Sequence, residues 1–311
     1  MKKSLLALAV LGAFASVASA QSSVTLYGRV DLSGGKNMGS TNKFLQNGSG
    51  SRFGVRGSED LGGGMSAFFN IEHRYNADTG AMTDATRFWG GRSIVGLQGA
   101  FGQFTLGREY TTAFLQSQLA GDPWGWDTVA NQAAITGLGI ARVRNDSSGT
   151  YRLMKDGFTF GVQMAEATDA INNFAKKPFN MALSYNKGPI VAGFGYEKTG
   201  QRTTADAKVT TANLSYNFGP VRLGGFVGRG TTATNVAMKS YMLTAVAPMG
   251  AGDLRASIGR LQANGVTTVQ NYALGYHYNM SKRTTLYADY TANTKLVANK
   301  NAYDFGIKHN F

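Results

Sequence analysis

Serine, histidine and aspartate, the side chains of a hydrolytic triad, occur together late in the chain as Ser257, His277 and Asp289. In such a triad the histidine activates the serine as a nucleophile and the aspartate orients the histidine. Antiparallel pairing across the turn at 280–283 would place His277 opposite residue 286, about 10 Å from Asp289. Because a triad requires hydrogen-bond contact at about 3 Å, the sequence argues against catalysis.

No other arrangement of residues indicates an enzyme or a metal centre. The chain has no G-x-S-x-G, H-E-x-x-H or P-loop motif, and it has no cysteine. The histidines, His73, His277 and His309, are far apart, so a metal site would also need carboxylate ligands. The sequence therefore predicts neither a metal site nor a cofactor.

Arginines that alternate with apolar residues form a second group of residues that could have a chemical function. Arg52 and Arg56 flank Phe53 and Val55, which must point to the other side of an extended strand. The same reasoning predicts one basic wall on the polar side of several strands, made of Arg29, Arg52, Arg56, Arg92 and Arg144. Three acids, Asp31, Glu72 and Asp146, are predicted to share this wall and to offset part of its charge. A basic wall of this kind attracts anions.

The segment 110–141, "YTTAFLQSQLAGDPWGWDTVANQAAITGLGIA", is unusual because it has no lysine or arginine in a basic chain. It carries two acids, Asp122 and Asp127. Long links without regular structure are uncommon and usually functional. If this segment folded into the space that the strands enclose, it would narrow that space and place its acids across from the arginines. The alternative is an external loop that packs on itself.

The elements that must position these residues are strands. Sixteen segments of alternating character lie between Val24 and Phe311, and short turns such as "DLGGG" and "NKGP" follow every even-numbered one. Longer links, of about seven to thirty residues, are predicted after every odd-numbered strand. An even strand count with short turns at one end and long loops at the other is typical of an outer-membrane barrel.

The alternation also predicts which face meets lipid. "NYALGYHYN" places Tyr272, Leu274, Tyr276 and Tyr278 on one face. A soluble β-sandwich has the same period with its apolar face inward. A ring of sixteen strands, however, encloses water, so its inside must be polar and its outside apolar. We therefore predict an all-β protein, a 16-stranded antiparallel transmembrane β-barrel with short periplasmic turns, long external loops and an inserted third loop.

The N-terminus indicates export. Met1-Lys2-Lys3 is followed by a short apolar stretch that ends in Ala18-Ser19-Ala20, as in a secretory signal peptide. We predict cleavage of residues 1–20 before Gln21, which leaves 21–311 as the barrel domain. The formal net charge of +13 is spread singly along the chain, whereas nucleic-acid-binding proteins concentrate basic residues on one face or arm. No nucleic-acid partner is predicted.

Several segments resemble one family in particular. "SVTLYGRVD", "SRFGVRGSEDLGGGMSAFFNIE", "GRSIVGLQGAFGQFTLGRE", "DPWG", "RNDSSGTY" and the terminal Phe311 resemble the general-diffusion trimeric porins of Gram-negative outer membranes, of the β-proteobacterial and neisserial type. The resemblance implies a homotrimer in outer-membrane lipid, with the third loop folded inside as a constriction. It also implies that Arg52, Arg92 and Arg144 form the basic wall of that constriction. The final strand resembles the tag read by the barrel-assembly machinery, with Phe311 closing the barrel.

These observations predict a channel for passive diffusion of small hydrophilic solutes, with a preference for inorganic and organic anions. Arg52, Arg92 and Arg144 would replace part of an anion's hydration without binding it tightly, and Asp122 would face them. A cation-selective or substrate-selective channel is an alternative. Another is a plugged barrel with an adhesive or structural function.

Overall fold

The computed structural model describes residues 23–166 and 176–311, which form one antiparallel sheet closed into a barrel. The predicted signal peptide and its cleavage site before Gln21 lie outside the described residues. Sixteen long strands and one short strand, β2, make the sheet, which confirms the predicted barrel. The strands are β1 (Ser23–Lys36), β2 (Lys43–Gln46), β3 (Ser51–Gly62), β4 (Met65–Tyr75), β5 (Arg92–Gly99), β6 (Gly102–Tyr110), β7 (Arg144–Lys155), β8 (Phe158–Ala165), β9 (Phe179–Lys187), β10 (Ile190–Arg202), β11 (Asp206–Asn217), β12 (Arg222–Thr231), β13 (Ala237–Met249), β14 (Gly252–Ala263), β15 (Val266–Asn279), β16 (Thr284–Asn293) and β17 (Asn301–Asn310).

The barrel closes between its first and last strands. Asn310 pairs with Arg29, and the next residue, Phe311, exchanges two backbone hydrogen bonds with Gly28, of 2.9 and 3.1 Å. Gly28 must lack a side chain because a Cβ there would lie 2.3 Å from the Phe311 ring. Phe311 thus lies at the seam of the barrel, and its recognition by an assembly machinery stays a prediction.

The two faces of each strand differ as the alternation predicts. On β1, Val24 and Leu26 are exposed on the outer face, whereas Asp31 and Ser33 are buried on the inner face. Aromatic pairs lie on the outer face beside the short turns, such as Phe158 with Tyr185, whose ring centroids are 4.7 Å apart. This arrangement matches an interfacial aromatic girdle.

The short turns all lie at one end, but the other end is less uniform than predicted. There, β10 and β11 are joined by residues 203–205 alone, and β14 and β15 by Asn264-Gly265, both with positive φ. Asn-Gly in this conformation makes a tight hairpin turn. The prediction of long links at these two places is wrong because the alternating pattern, and with it the strand pairing, continues further along the chain.

The longest link, residues 111–143 between β6 and β7, contains all the helices of the described residues. It has a single π-helical turn at Phe114–Gln118 and two short helices, Leu119–Gly121 and Ala133–Thr136. Within 23–166 and 176–311, no helix is long and apolar enough to cross a membrane. We call residues 111–143 the constriction loop because of the position described next.

Candidate functional site: the lumen constriction

The constriction loop lies inside the barrel. The backbone N–H of Thr112 donates to Asn180 Oδ1 on β9 at 2.8 Å, and Trp124 Nε1 donates to Asp289 Oδ1 on β16 at 2.7 Å. Asn180 and Asp289 are buried on the inner face of the sheet. The loop therefore crosses the lumen, which confirms the predicted insertion; the alternative of an external loop is wrong.

Glycines on the inner face of the wall allow the loop to approach closely. A Cβ at Gly193 on β10 would lie 2.0 Å from the backbone oxygen of Gln116, and one at Gly195 would lie 3.1 Å from Ala113. Glycine within a strand often marks such an approach of another backbone. These positions determine where the first part of the loop can lie.

The second part of the loop is held by apolar packing. Ile135 and Leu138 are fully buried, and Ile140 is nearly so. They pack against inward side chains of β11–β14, namely Ala207, Val209, Phe226, Met242 and Leu261. The prediction that the interior is polar is wrong on this side because the loop, rather than water, covers these side chains.

Asp122 organises the loop itself. The residue is only 5% exposed, and its carboxylate accepts backbone hydrogen bonds of 2.9–3.0 Å from Trp124, Trp126 and Gln132. Burial raises the pKa of Asp122 to about 6, although the three N–H donors oppose that shift. The expectation that Asp122 faces the arginines is wrong, because donors from its own loop occupy it.

Asp127 is the loop acid that reaches the basic wall. Its Oδ2 lies 3.2 Å from Arg29 Nη1 in a salt bridge, and about a quarter of each side chain is exposed. Arg29 also donates to Ser49 and Asn310. The Arg29–Asp127 salt bridge therefore links the constriction loop to the end of the basic wall at the barrel seam.

Three arginines form a row across adjacent strands. Arg29 on β1 pairs with Arg52 on β3, which pairs with Arg74 on β4. Like charges in direct register repel one another, so the row needs counter-charges. Arg29 has Asp127, and Arg74 Nε lies 2.7 Å from Glu72. Arg52 donates to a backbone carbonyl, and no carboxylate of the described residues is within salt-bridge distance of it.

Tyr110 joins Arg144 to this row. Its hydroxyl accepts hydrogen bonds of 2.6 Å from both Arg74 and Arg144, and the guanidinium carbon of Arg144 lies 4.1 Å from its ring centroid. An aromatic face attracts such cations. Among the described residues Arg144, like Arg52, has no carboxylate in a salt bridge with it.

Arg92 also belongs to this part of the lumen, but its charge is balanced. It makes two hydrogen bonds, of 2.9 and 2.5 Å, to the buried carboxylate of Glu109. Glu109 also lies 3.6 Å from Arg152. Arg56 lies outside the row, nearer the short turns, with its guanidinium 5.3 Å from the ring centroid of Tyr27. The five predicted arginines are therefore not equivalent.

The three acids that were predicted to share the basic wall do not all face the lumen. Glu72 faces the lumen, and Asp31 does so beneath Tyr287, whose hydroxyl donates to it at 2.6 Å. Asp146 instead contacts Arg87 and Arg108. Arg108 stands between Gly107 and Glu109 in the chain, and its side chain points away from the lumen. The prediction for Asp146 is wrong because the register between β6 and β7 shifts there and inverts the alternation.

The register predicted for the last hairpin is also wrong. His277 pairs with Tyr287, so Asp289 lies diagonally across on the same face, 3.1 Å from His277 Nε2. Ser257 pairs four residues along β15 from His277, about 13 Å away, so these residues assemble no triad. Asp289 instead receives the hydrogen bond from Trp124 and holds the loop.

Three contributors to the site were not predicted: Arg74, Glu109 and Tyr110. Arg74 could have been found, because it is two residues from Glu72 in a strand and so shares its face. Glu109 and Tyr110 lie at the junction of β6 with the loop, where alternation gives no guidance.

Comparisons with known proteins give consistent results. A family model described as "Gram-negative porin" matches residues 7–295. An outer membrane porin protein of Bordetella pertussis is 30% identical over the full length of both chains. Outer membrane porin protein 32 of Delftia acidovorans is 32% identical and covers 99% of this chain and 93% of its own. The structure of an anion-selective porin from Comamonas acidovorans superposes with a TM-score of 0.79 at 26% identity, over 94% of this chain and 100% of that one.

Proposed function

Because the chain belongs to the Gram-negative porin family, whose outer-membrane barrels enclose an aqueous channel, we propose that small hydrophilic solutes cross it by passive diffusion and that anions cross preferentially. The similar Comamonas porin is described as anion-selective. Support within this chain comes from the charges that line the free side of the constriction.

The observation that carries the proposal is the excess of guanidinium groups there. Five arginines, Arg29, Arg52, Arg74, Arg92 and Arg144, lie there, and three of them form salt bridges: Arg29 with Asp127, Arg74 with Glu72 and Arg92 with Glu109. Arg52 and Arg144 have no such partner among the described residues. An anion in the constriction can exchange part of its water shell for their N–H groups, and low-dielectric walls strengthen that attraction.

Conduction requires that an anion bind only weakly at each arginine. Permeation requires that an ion bind well enough to enter and weakly enough to leave. Arg29, Arg52 and Arg74 are in register on neighbouring strands, so an anion leaving one guanidinium meets the next. Arg92 contributes less because Glu109 offsets its charge.

The test is the reversal potential of the purified protein in a planar bilayer under a KCl gradient. For the wild type we expect a potential of the sign that chloride carries. For the double variant Arg52→Gln/Arg144→Gln we expect a clear shift toward zero, because two uncompensated charges are removed from the constriction. The variant Arg229→Gln/Lys239→Gln, which loses the same charge from the outer face, should behave as the wild type.

Other outcomes would contradict the proposal. An unchanged reversal potential in Arg52→Gln/Arg144→Gln would contradict the role of these two arginines in anion preference. A potential of the cation's sign in the wild type would favour a cation-selective channel. If no conductance steps occurred at all, a plugged barrel would be favoured.

The oligomeric state belongs to the same proposal. The family resemblance implies a homotrimer, and chemical cross-linking of the purified protein in detergent tests it. We expect a cross-linked ladder that ends at three chains. A single band of one chain would contradict trimerisation and leave the channel proposal unaffected.

A further inference from the structure

A cavity of about 440 Å³ lies at the long-loop end of the barrel, on the external side of the constriction loop. One wall is the segment that follows β1, with Asn37 and with Gln46 at the end of β2. The opposite wall is the middle of the constriction loop, with Trp126 and Asn131. We call these four residues and the space between them the amide pocket. Its volume lies in the range of about 300–1,000 Å³ that is usual for small-molecule sites.

The two walls of the amide pocket are joined by the backbone. The N–H of Thr128 donates to the carbonyl oxygen of Gly48 at 2.6 Å. Asn47, which precedes Gly48, holds its wall in place: its Nδ2 donates to the carbonyl of Tyr75 at 2.8 Å, and its Oδ1 accepts from Ser51 Oγ at 2.8 Å. A site whose walls are fixed in this way loses little free energy in ordering itself around a ligand.

The amide pocket differs from the row of arginines in its charge. Of the described residues that line this cavity, none is charged. Asp127, the residue after Trp126, is in a salt bridge of 3.2 Å with Arg29, so these two charges offset each other. A charged ligand in the cavity would lose water without meeting a counter-charge, which costs free energy. The lining therefore favours a neutral ligand.

The amide side chains can donate and accept further hydrogen bonds. Asn37 Nδ2 donates to Gln46 Oε1 at 3.2 Å, and Gln46 Nε2 donates back to Asn37 Oδ1 at 3.4 Å. Asn131 donates to the Thr128 carbonyl at 2.6 Å and accepts from the N–H of Ala133 at 3.2 Å. An amide has two N–H donors and two acceptor lone pairs, so each of the three keeps one of both among the described contacts. Hydroxyl groups, which also donate and accept, are the matching partners.

Trp126 adds an aromatic surface to the amide pocket. The indole Nε1 donates to Thr136 Oγ1 at 2.8 Å, so the polar atom of the ring is satisfied within the loop. Phe114 packs edge to face on the same ring, with the centroids 4.9 Å apart. The half-buried indole therefore offers only carbon to a ligand. An aromatic face is partly negative and attracts the hydrogens of C–H groups.

The backbone at Trp126 supports a role for this side chain. Its φ is 62°, in the left-handed region that bulky residues rarely adopt. The carboxylate of Asp122 accepts a hydrogen bond of 3.0 Å from the Trp126 N–H and so helps to hold this conformation. Residues in such conformations cluster at binding sites, where the surrounding structure maintains them. A glycine would adopt this φ without cost, so the tryptophan indicates a use for the ring.

These features together match a sugar ring. A pyranose has hydroxyl groups around its edge, which donate and accept hydrogen bonds, and C–H groups on its faces, which pack on an aromatic ring. An inorganic anion has no C–H face, and an apolar molecule cannot bond the amides. The neutral lining further selects against sugars that carry a carboxylate or a phosphate.

We propose that the amide pocket binds a free, neutral pyranose that arrives from outside. One face of the sugar packs on Trp126, and its hydroxyls bond Asn37, Gln46 and Asn131. Such a site holds the sugar next to the entrance of the constriction. This inference requires the barrel with its inserted loop but not the anion preference of the channel.

The experiment titrates the full-length exported protein in detergent with methyl β-glucoside and measures binding by saturation-transfer difference NMR. This method detects weak ligands and identifies the ligand protons that contact the protein. For the wild type we expect saturable binding, with the strongest transfer to the ring C–H protons. Two competitors test the chemistry: methyl β-glucuronide has the same ring with a carboxylate, and sorbitol has hydroxyls but no ring. Each should displace the glucoside at least tenfold less effectively than glucose does.

Variants test the assigned residues. Asn37→Ala/Gln46→Ala should lose at least tenfold in apparent affinity for methyl β-glucoside. Both side chains lie outside the constriction loop, so the contacts that hold the loop remain. Trp126→Leu should lose the transfer to the ring C–H protons, because the aromatic face is removed. The matched control Gln98→Ala/Gln103→Ala removes another hydrogen-bonded amide pair, at the short-turn end of the barrel, and should bind as the wild type.

Several outcomes would overturn the proposal. These are the lack of saturable binding to the wild type, wild-type affinity in Asn37→Ala/Gln46→Ala, and equal losses in this variant and its control. Displacement by methyl β-glucuronide as effective as that by glucose would contradict a neutral site. Loss of glucoside binding in Arg52→Gln/Arg144→Gln would place the sugar at the arginines instead. Retained binding in that variant would support the amide pocket, whatever the reversal potential shows about anions.

Discussion

The two halves of the lumen wall follow the same strand alternation and yet differ in chemistry. On β8–β14, the inward positions include glycines that admit the constriction loop, polar side chains such as Asn180 that hydrogen-bond to it, and apolar side chains such as Phe226 and Met242 that pack against it. On β1 and β3–β7, they include Arg52, Arg74 and Arg144, which face the open side of the constriction. The difference shows that an inward direction alone does not determine whether a side chain is polar. It also matters whether the constriction loop or water covers that side chain.

The loop also explains why the halves divide as they do. Ordering a residue costs about 1–2 kcal/mol of backbone entropy, so the loop can lie only where packing and hydrogen bonds offset that cost. The glycine and apolar positions allow close contact with the loop, whereas covering the arginines with apolar loop atoms would cost free energy because charged groups would lose their hydration. The loop therefore covers one wall and leaves the other free for solutes.

The largest effect is expected from removing an apolar anchor of the covered wall. Leu138 is fully buried against β11–β14, and Leu→Ala changes at such sites cost about 2–5 kcal/mol. We expect Leu138→Ala to loosen the loop and to make single-channel currents noisier. The matched change Val297→Ala, at a side chain that is 98% exposed, should leave the currents unchanged. Quiet, wild-type currents from Leu138→Ala would show that the apolar contact does not hold the loop.

A smaller effect is expected from a change at the glycine positions. A Cβ at Gly193 would lie 2.0 Å from the backbone oxygen of Gln116, so Gly193→Ala must displace the loop, at about 1–3 kcal/mol. We expect an altered single-channel conductance and a lower midpoint of thermal unfolding. Gly225→Ala is the control, since its Cβ would meet only Leu243 at 4.0 Å on the outer face. Identical behaviour of the two variants would argue that the close approach is unimportant.

The smallest effect on stability concerns the link between the two walls. The Arg29–Asp127 salt bridge is partly exposed, and such pairs contribute about 0–1 kcal/mol. Asp127→Asn should therefore leave the unfolding midpoint nearly unchanged. It should also strengthen the anion preference, because Arg29 loses its counter-charge. A reversal potential shifted toward cations by Asp127→Asn would contradict the assigned charge balance.

Strand alternation was sufficient to predict most of the barrel but not every residue of the constriction. The inward positions of Arg29 and Arg52 follow from their apolar neighbours. Asp146 was misplaced because the register shift between β6 and β7 leaves no clear mark in the residue types. Asp122 was misassigned because its partners are backbone N–H groups of its own loop, which any sequence could supply.

The sequence by itself determined the closed barrel, its lipid face and its internal loop. These features depend on the period of two in side-chain direction and on the contrast between short turns and one long link. Only the tertiary structure decided which arginines lack a carboxylate partner. Arg92 and Arg52 are alike in sequence pattern, but the register places Glu109 beside Arg92 and not beside Arg52. Compensation of charge depends on distances of a few ångströms between distant residues, and no local pattern encodes those distances.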